Sequence, residues 1–457
     1  MWFRRDLRTG DNPALLAAAA GGRPVLPLFV LDPRLFDTAG PPRRAYLLRS
    51  LRALDGSLGG ALHLRRGNPV HQVVAAAREI GAHEVHIAAD YGPYGRRRDA
   101  AVEAALREHG ITLVRTGSPY AVAPSRVRKP DGSPYRVFTP FSRTWLAHGW
   151  RGPAGPADGP ADGIDYVRRS GPADFLDEPD PAGVTLPEIG EAAAGRRWQW
   201  FLDARLADYH ENRDRPDRDG TARISAALKY GELHPRTLLA DLADRRGPGV
   251  ESFRTELCWR EFYADVLHHH PMSAWTALDP IAGAVPTDTG PDADAAFGAW
   301  TQGRTGYPIV DAGMRQLHTE GWMPNRLRMI TASFLVKDLH LPWQRGARHF
   351  LEYLIDGDLA SNNHGWQWVA GTGTDAAPYI RIFNPTLQAA KADPDGDYVR
   401  RWIPELRTIA GPAVHQPWKQ PGGPPSDYPE PLVDHPSERA EALRRYHGTT
   451  SPVGRGT

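Results

Sequence analysis

Val25-Leu26-Pro27-Leu28-Phe29-Val30 reads as a buried strand, and the order of elements around it decides the fold. Residues 45–54 carry helical spacing, and Ala61-Leu62-His63-Leu64 is strand-like again. A helix is expected over 70–80, then a strand at Glu84-Val85-His86-Ile87-Ala88, a helix over 99–108 and a strand at Ile111-Thr112-Leu113-Val114. Strands alternating with helices at this spacing predict a parallel, doubly wound α/β sheet. Ligands of such a sheet lie at the carboxyl ends of its strands. No G-x-G-x-x-G turn is present, so dinucleotide binding of that kind is not expected.

Beyond the sheet the pattern changes. Residues 146–195 are rich in Pro, Gly, Ala and Asp with little periodicity. From Trp198 onward helical spacing takes over, as in Leu238, Leu239 and Leu242 or Leu327, Ile330 and Phe334. The expected organisation is an α/β domain over 1–130, a linker over 131–195, an all-helical domain over 196–446 and a frayed tail over 447–457. The chain opens almost at Trp2, so the first strand is expected to be short by a few residues.

The 457 residues are 41% apolar and 24% charged, a soluble globular balance. A formal charge of +1 means that any nucleic-acid surface must be a local basic patch. The single cysteine, Cys258, excludes an internal disulfide and a Cys-rich metal site, and no metal is expected. A reducing cytoplasm fits best, and neither a membrane span nor a signal peptide is visible.

Fourteen Trp are the compositional exception, most of them beyond residue 190. Two of them, Trp366 and Trp368, stand in Asn362-Asn363-His364-Gly365-Trp366-Gln367-Trp368, which continues into Thr372-Gly373-Thr374-Asp375-Ala376-Ala377-Pro378-Tyr379 and Arg381-Ile382-Phe383-Asn384. Ile355-Asp356-Gly357-Asp358 precedes the run. Acids, amides, small residues and indoles interleave there without amphipathic period, as expected around a bound aromatic molecule. Glu256, Trp259, Arg260 and Tyr263 fall at i, i+3, i+4 and i+7, one helix face that is a poor core and an odd solvent face. Asn325 and Met329 form another i, i+4 pair.

Trp2-Phe3-Arg4-Arg5-Asp6-Leu7-Arg8 and Pro134-Tyr135-Arg136-Val137-Phe138-Thr139-Pro140-Phe141 resemble blocks of the photolyase/cryptochrome family. So do Gly220-Thr221-Ala222-Arg223-Ile224-Ser225, Glu256-Leu257-Cys258-Trp259-Arg260-Glu261, Gly306-Tyr307-Pro308-Ile309-Val310-Asp311 and Gly321-Trp322-Met323-Pro324-Asn325-Arg326. The resemblance spans essentially the whole chain and is greatest to bacterial class I cyclobutane pyrimidine dimer photolyases. It implies that the helical domain binds FAD, active in its fully reduced form. Tyr209, Thr221, Arg223, Ile224 and Ser225 would hold the diphosphate end, at a helix start suited to anions. Arg328 and Asp356 would form a buried pair against the flavin, with Asp358 beside the ring and Asn362 facing it. Plant photoreceptors of the family carry Asp at that last position and insect ones Cys, so Asn points to repair.

By the same resemblance Glu256, Trp259, Asn325, Met329 and Trp368 would line the pocket for the dimer. Arg260, Arg326, Arg381, Arg400 and Arg401 would meet the DNA backbone, and the lesion would be flipped out of the duplex. The expected partner is DNA carrying pyrimidine dimers, bound by a monomer. No His stands in Met323-Pro324-Asn325-Arg326, where (6-4) photolyases carry a pair. Asp90-Tyr91-Gly92-Pro93-Tyr94-Gly95-Arg96 with Arg98-Asp99 suggests an 8-hydroxy-deazaflavin antenna rather than methenyltetrahydrofolate. The rival reading is a cryptochrome-type blue-light receptor.

Three departures from the family pattern stand out. Trp366 and Trp343 match the inner and middle members of its electron-carrying Trp chain, but Gly290 stands where the outer Trp belongs. His364 replaces the usual Gly near the flavin, and the first strand is short.

Overall fold

The computed structural model describes residues 1–155, 163–168, 171, 176–374 and 380–450, with nothing beyond backbone at Thr450. Asp375 to Tyr379 and most of the tail lie outside the described residues. The chain divides into two compact units.

The first unit comprises 1–182, 186–207 and 222–271. Its strands are β1 (Trp2–Phe3), β2 (Leu28–Leu31), β3 (His63–Arg66), β4 (Glu84–Ile87) and β5 (Thr112–Arg115). All pairing is parallel, with Trp2 opposite Leu28, Leu28 opposite His63 and Glu84 opposite Thr112. The helices Pro41–Ser57, Pro69–Glu79 and Pro93–Arg107 intervene, each with Pro in its first turn, where a missing N–H costs nothing. The hydrogen-bonded ladders are β1-β2-β3 and β4-β5, and β1 also lies alongside β4 without pairing to it. Trp2, Leu28, Val30, Val73, Val85, Ile87, Val102 and Leu106 make one buried cluster. Removing one such side chain from water is worth about 1.5–3 kcal/mol.

The strands end in charge. Arg4 pairs with Asp99 at 2.9 Å, and Arg98 with Asp99 at 2.8 Å and Asp90 at 3.2 Å. Both guanidiniums lie over the Trp2 ring, and Tyr94 donates to Asp32. A Cβ on Gly95 would come within 2.7 Å of Asp90 Oδ1 and closer to its other carboxyl atoms, so this turn requires Gly. The helix Phe138–His148 lies within the span expected as linker, and the helices Glu191–Ala204, Ser225–Tyr230, Pro235–Asp241 and Pro248–His269 also belong to this unit. No strand follows β5 among the described residues.

The second unit comprises 183–185, 208–221 and 272–457 and is helical throughout its described residues. Its core holds Trp300, Met314, Leu317, Leu327, Ile330, Phe334, Phe350, Trp366 and Tyr398. Helical spacing therefore places Leu327, Ile330 and Phe334 as expected. Asp311 anchors the Gly306–Asp311 turn, accepting from Thr305 N at 2.8 Å, Gly306 N at 3.1 Å and Tyr428 Oη at 2.6 Å. Burial pushes its pKa up, while those donors favour the anion. This block supports the scaffold rather than reacting.

Candidate functional site

In the second unit the site is built on the Leu359–Ala370 helix. Asp358 caps it, its carboxylate accepting from Ala360 N and Ser361 N at 3.1 Å each. Asp356 lies two residues earlier, buried, and its Oδ2 accepts from Arg328 Nη2 at 2.8 Å. Arg328 Nε donates in turn to Met323 O at 2.8 Å, so the guanidinium is held from two sides. Asp356 Oδ1 is buried without a hydrogen-bond partner. Such an atom is costly unless a ligand meets it.

Asn362, half-buried, spends both amide hydrogens on the protein. Its Nδ2 donates to Ala347 O at 3.1 Å and to Asn363 Oδ1 at 2.8 Å, leaving Oδ1 as the free end of the amide. The completely buried side chains beside it staple the helix to residues 273–278. Asn363 donates to Ala274 O, and Gln367 Nε2 donates to Ser273 O at 2.6 Å while its Oε1 accepts from Leu278 N at 2.8 Å. His364 Nδ1 lies 2.8 Å from Ala360 O and Nε2 2.8 Å from Ser273 Oγ. The carbonyl accepts only, so Nδ1 donates to it, and Nε2 makes the second bond to the serine hydroxyl. His364, the departure whose effect could not be read from sequence, is a structural clamp.

Asn325 and Met329 meet as their spacing predicts, Nδ2 lying 3.7 Å from Sδ. Trp368 is half-buried, with the Arg381 guanidinium 4.8 Å from its ring centre. Arg326 pairs with Asp214 at 2.6 Å, and Arg401 is exposed. Arg400 donates to Asp395 O at 2.6 Å, Asp397 Oδ1 at 2.7 Å and the Ile409 and Gly411 carbonyls at 3.3 Å. That wiring ties a loop together and leaves Arg400 little to offer a phosphate. Tyr209 is buried, and Gly220 packs so closely on Asn212 that a Cβ would lie 2.6 Å from that side chain's own Cβ. Thr221 thus stands beside the short Tyr209–Asn212 helix.

In the first unit Ala222 and Ile224 are buried while Arg223 and Ser225 are exposed, so alternate side chains point outward. Arg223 has φ +52°, a left-handed conformation costing about 1–2 kcal/mol for a residue with a Cβ. Strain of this kind collects at ligand clamps. Glu256, Trp259, Arg260 and Tyr263 share a face of the Pro248–His269 helix, and each is half-buried.

Phe138 stacks on Trp259 with ring centroids 3.6 Å apart and planes nearly parallel at 5°. One face of that indole is therefore already covered. The Pro134–Phe141 block was visible in the sequence, but its job of setting the Trp259 ring was not. Arg260 donates to Pro119 O and Leu228 O at 3.1 Å each and lies 4.8 Å from the Tyr120 ring, which makes it a strut. Glu261, also missed, is fully buried and accepts from Trp145 Nε1 at 2.7 Å, Val122 N at 3.0 Å and Ala121 N. Burial pushes its pKa up to about 7 against those three donors.

Trp366 is buried with its Nε1 unpartnered, its ring 4.9 Å from Phe350 and 6.1 Å from Trp300. It packs on Gly346, three residues along the helix from Trp343. Gly290 caps the Pro291–Thr301 helix at φ +94°, ψ −173°, a region essentially reserved for glycine. A Trp cannot occupy this backbone unstrained.

The donor set suits a flavin. It combines an orphaned buried carboxylate oxygen, a guanidinium fixed from two sides and an amide with a free carbonyl end.

Comparison with known proteins agrees. A family model described as DNA photolyase matches residues 1–160, and one described as the FAD binding domain of DNA photolyase matches residues 253–448. The deoxyribodipyrimidine photo-lyase of Streptomyces griseus is 40% identical across 97% of each chain. That of Thermus thermophilus is 41% identical over 100% of this chain and 99% of its own. The crystal structure of a class III photolyase from Agrobacterium tumefaciens aligns with a TM-score of 0.89 at 37% identity, covering 98% of this chain and 96% of the other. A Sulfolobus tokodaii photolyase holding two FAD molecules aligns at 0.84 with 27% identity, covering 98% and 99%. With its α/β and helical parts, its flavin-suited residues and these relatives, the chain belongs to the DNA photolyase family.

Proposed function

We propose that this protein uses light to split cyclobutane pyrimidine dimers in DNA, with reduced FAD as its cofactor. The observation that carries the reading is the hydrogen bonding of Asn362, whose two amide hydrogens are committed to Ala347 O and Asn363 Oδ1. An amide that offers only its oxygen suits the ring N–H of a reduced flavin, which it can accept without removing the proton. When bound, the cofactor supplies light absorption and the electron that opens the cyclobutane ring, and it takes that electron back. Arg328 and Asp356 would hold it at the ring, and Tyr209, Thr221, Arg223, Ile224 and Ser225 at the diphosphate. Asp358 acts mainly as the helix cap that sets the direction of Asn362.

On this reading Glu256 bonds the damaged bases and stabilises negative charge arriving on them. Trp259, backed by Phe138, would stack against the dimer, and Asn325, Met329 and Trp368 are assigned to the dimer by the family resemblance. The lesion leaves the duplex at low cost because it already stacks poorly. Arg326, Arg381 and Arg401 are assigned to phosphates, positioning the strand without reading sequence. Arg260 and Arg400 are assigned to the scaffold. Among the described residues no helix is long and apolar enough to cross a membrane.

We assign any antenna to the charged ends of the strands, around Asp90, Tyr94 and Arg98, with 8-hydroxy-deazaflavin favoured over folate by the resemblance alone. Releasing bound chromophores and recording their spectra separates the two. The central test is repair of oligothymidylate dimers by dithionite-reduced protein under blue light, followed as recovering thymine absorbance. Light-dependent turnover is expected. Flavin-loaded, reduced protein that recovers nothing refutes the reading.

A further inference from the structure

The Trp366 indole has an aromatic route out of the core that bypasses Trp343. Trp366 meets Trp300 edge-on at 6.1 Å, and Trp300, itself completely buried, lies 5.6 Å from His349. His349 packs on Tyr353 at 5.0 Å, and its Nε2 is 3.1 Å from His318 Nε2. The His318 ring is 4.3 Å from Tyr353. His318, His349 and Tyr353 are all half-buried, so the file reaches from the core to solvent without a gap. The Tyr353 phenol makes no hydrogen bond within the described residues.

The ring contacts of Trp366 run to Trp300 and Phe350, not to Trp343. At Gly290 the backbone conformation strains any residue that carries a Cβ.

We propose that Tyr353 is the terminal electron donor when the flavin is reduced by light, reached from Trp366 through Trp300 and His349. This rests on the flavin reading above, with light-excited oxidised FAD as the one-electron oxidant. Trp366 gives up one electron, Trp300 refills Trp366, and Tyr353 refills Trp300 across the His349 contact. Tyr353 releases its phenol proton to water and is left as the neutral tyrosyl radical, which an added thiol returns to tyrosine by donating a hydrogen atom. Loss of the proton to bulk water makes the return electron transfer slow.

Two local features suit this path. Trp300 Nε1–H donates to Thr331 O at 3.0 Å, and that carbonyl dipole stabilises positive charge on the indole. Burial holds His349 down to about 3 and lowers His318 as well, so neither imidazole places a fixed cation beside the passing charge.

The test is transient absorption of the oxidised, FAD-loaded protein after a blue flash, with flavin content read first from the ground-state spectrum. A tyrosyl band is expected to grow in as the indole radical signal decays. Tyr353→Phe should abolish that band and slow net photoreduction by about tenfold, while repair by dithionite-reduced protein is unchanged. Trp300→Phe should remove the band as well, and because that site is fully buried, the Tyr353 variant decides if it misfolds. Wild-type protein showing only indole radicals, or a tyrosyl band that survives Tyr353→Phe, overturns the proposal. So does control of the rate by Trp343→Phe or by Trp275→Phe, a 39% exposed indole beside Arg348. Protein that binds no flavin sinks the underlying reading instead, and the initial spectrum shows which has failed.

Discussion

Gly346→Ala tests how tightly Trp366 is held, with two opposing terms that can be weighed. Gly346 lies inside the Trp343–Tyr353 helix, where Ala is favoured over Gly by about 1 kcal/mol. Against that, the new Cβ would lie 2.6 Å from both Leu335 Cδ2 and Trp366 Cζ3, and closer still to Trp366 Cη2. Carbon atoms rest at about 3.5–4.0 Å, so the indole or the helix must retreat by about 1 Å or more. Trp366 is 2% exposed and wedged against Phe350 and Trp300, so no empty volume receives it. Overpacking of this kind costs about 1–3 kcal/mol, and this contact belongs at the upper end. The net expectation is a loss of about 2 kcal/mol.

Guanidinium unfolding of the flavin-free protein reads this without the stabilisation a bound ligand adds. Gly298→Ala is the control. It lies within the Pro291–Thr301 helix with nothing within 4 Å of where the added methyl would stand, so it should gain up to about 1 kcal/mol. The moved ring should also slow flavin photoreduction. If Gly346→Ala matches the control in stability and photoreduction is untouched, Trp366 is not seated on Gly346 and the argument fails.

Glu256→Ala should keep FAD but lower repair per absorbed photon, and an unchanged quantum yield removes its assigned role. Gly290→Trp should destabilise by about 1–3 kcal/mol through its positive φ and leave the tyrosyl signal in place, whereas unaltered stability contradicts the backbone argument. For Glu261 the folded pKa is raised, so its contribution is fully present below about pH 4.5 and is lost as pH rises through about 7. At 1.36 kcal/mol per unit, wild type should lose about 3 kcal/mol relative to Glu261→Gln between those values. A stability difference between the two proteins that does not vary with pH contradicts this. Raising salt should weaken binding of dimer-containing DNA steeply, and the slope should fall by about one unit in Arg401→Ala but not in Arg400→Ala.

Much of this was legible in the chain itself. Periods of two and 3.6 report neighbours within one element, so the strand–helix alternation, the helical second part, the Asn325–Met329 pair and the half-buried face of Glu256, Trp259, Arg260 and Tyr263 could all be read from spacing. The family resemblance, rather than spacing, marked Asp356, Arg328 and Asn362 as flavin-facing groups. What spacing cannot report is which atom of a side chain is already spent. Arg260 and Arg400 look like free cations until the fold brings them carbonyls from residues far away or around a turn. His364 looks like an active-site intruder until Ser273 meets it, 91 residues distant. The amide orientation of Asn362, the seat of Trp366 on Gly346 and the file from Trp300 to Tyr353 exist only because separate helices pack against one another. Hydrogen bonds and ring contacts between elements are set by that packing, which local sequence constrains only in sum, and the tertiary structure alone decides them.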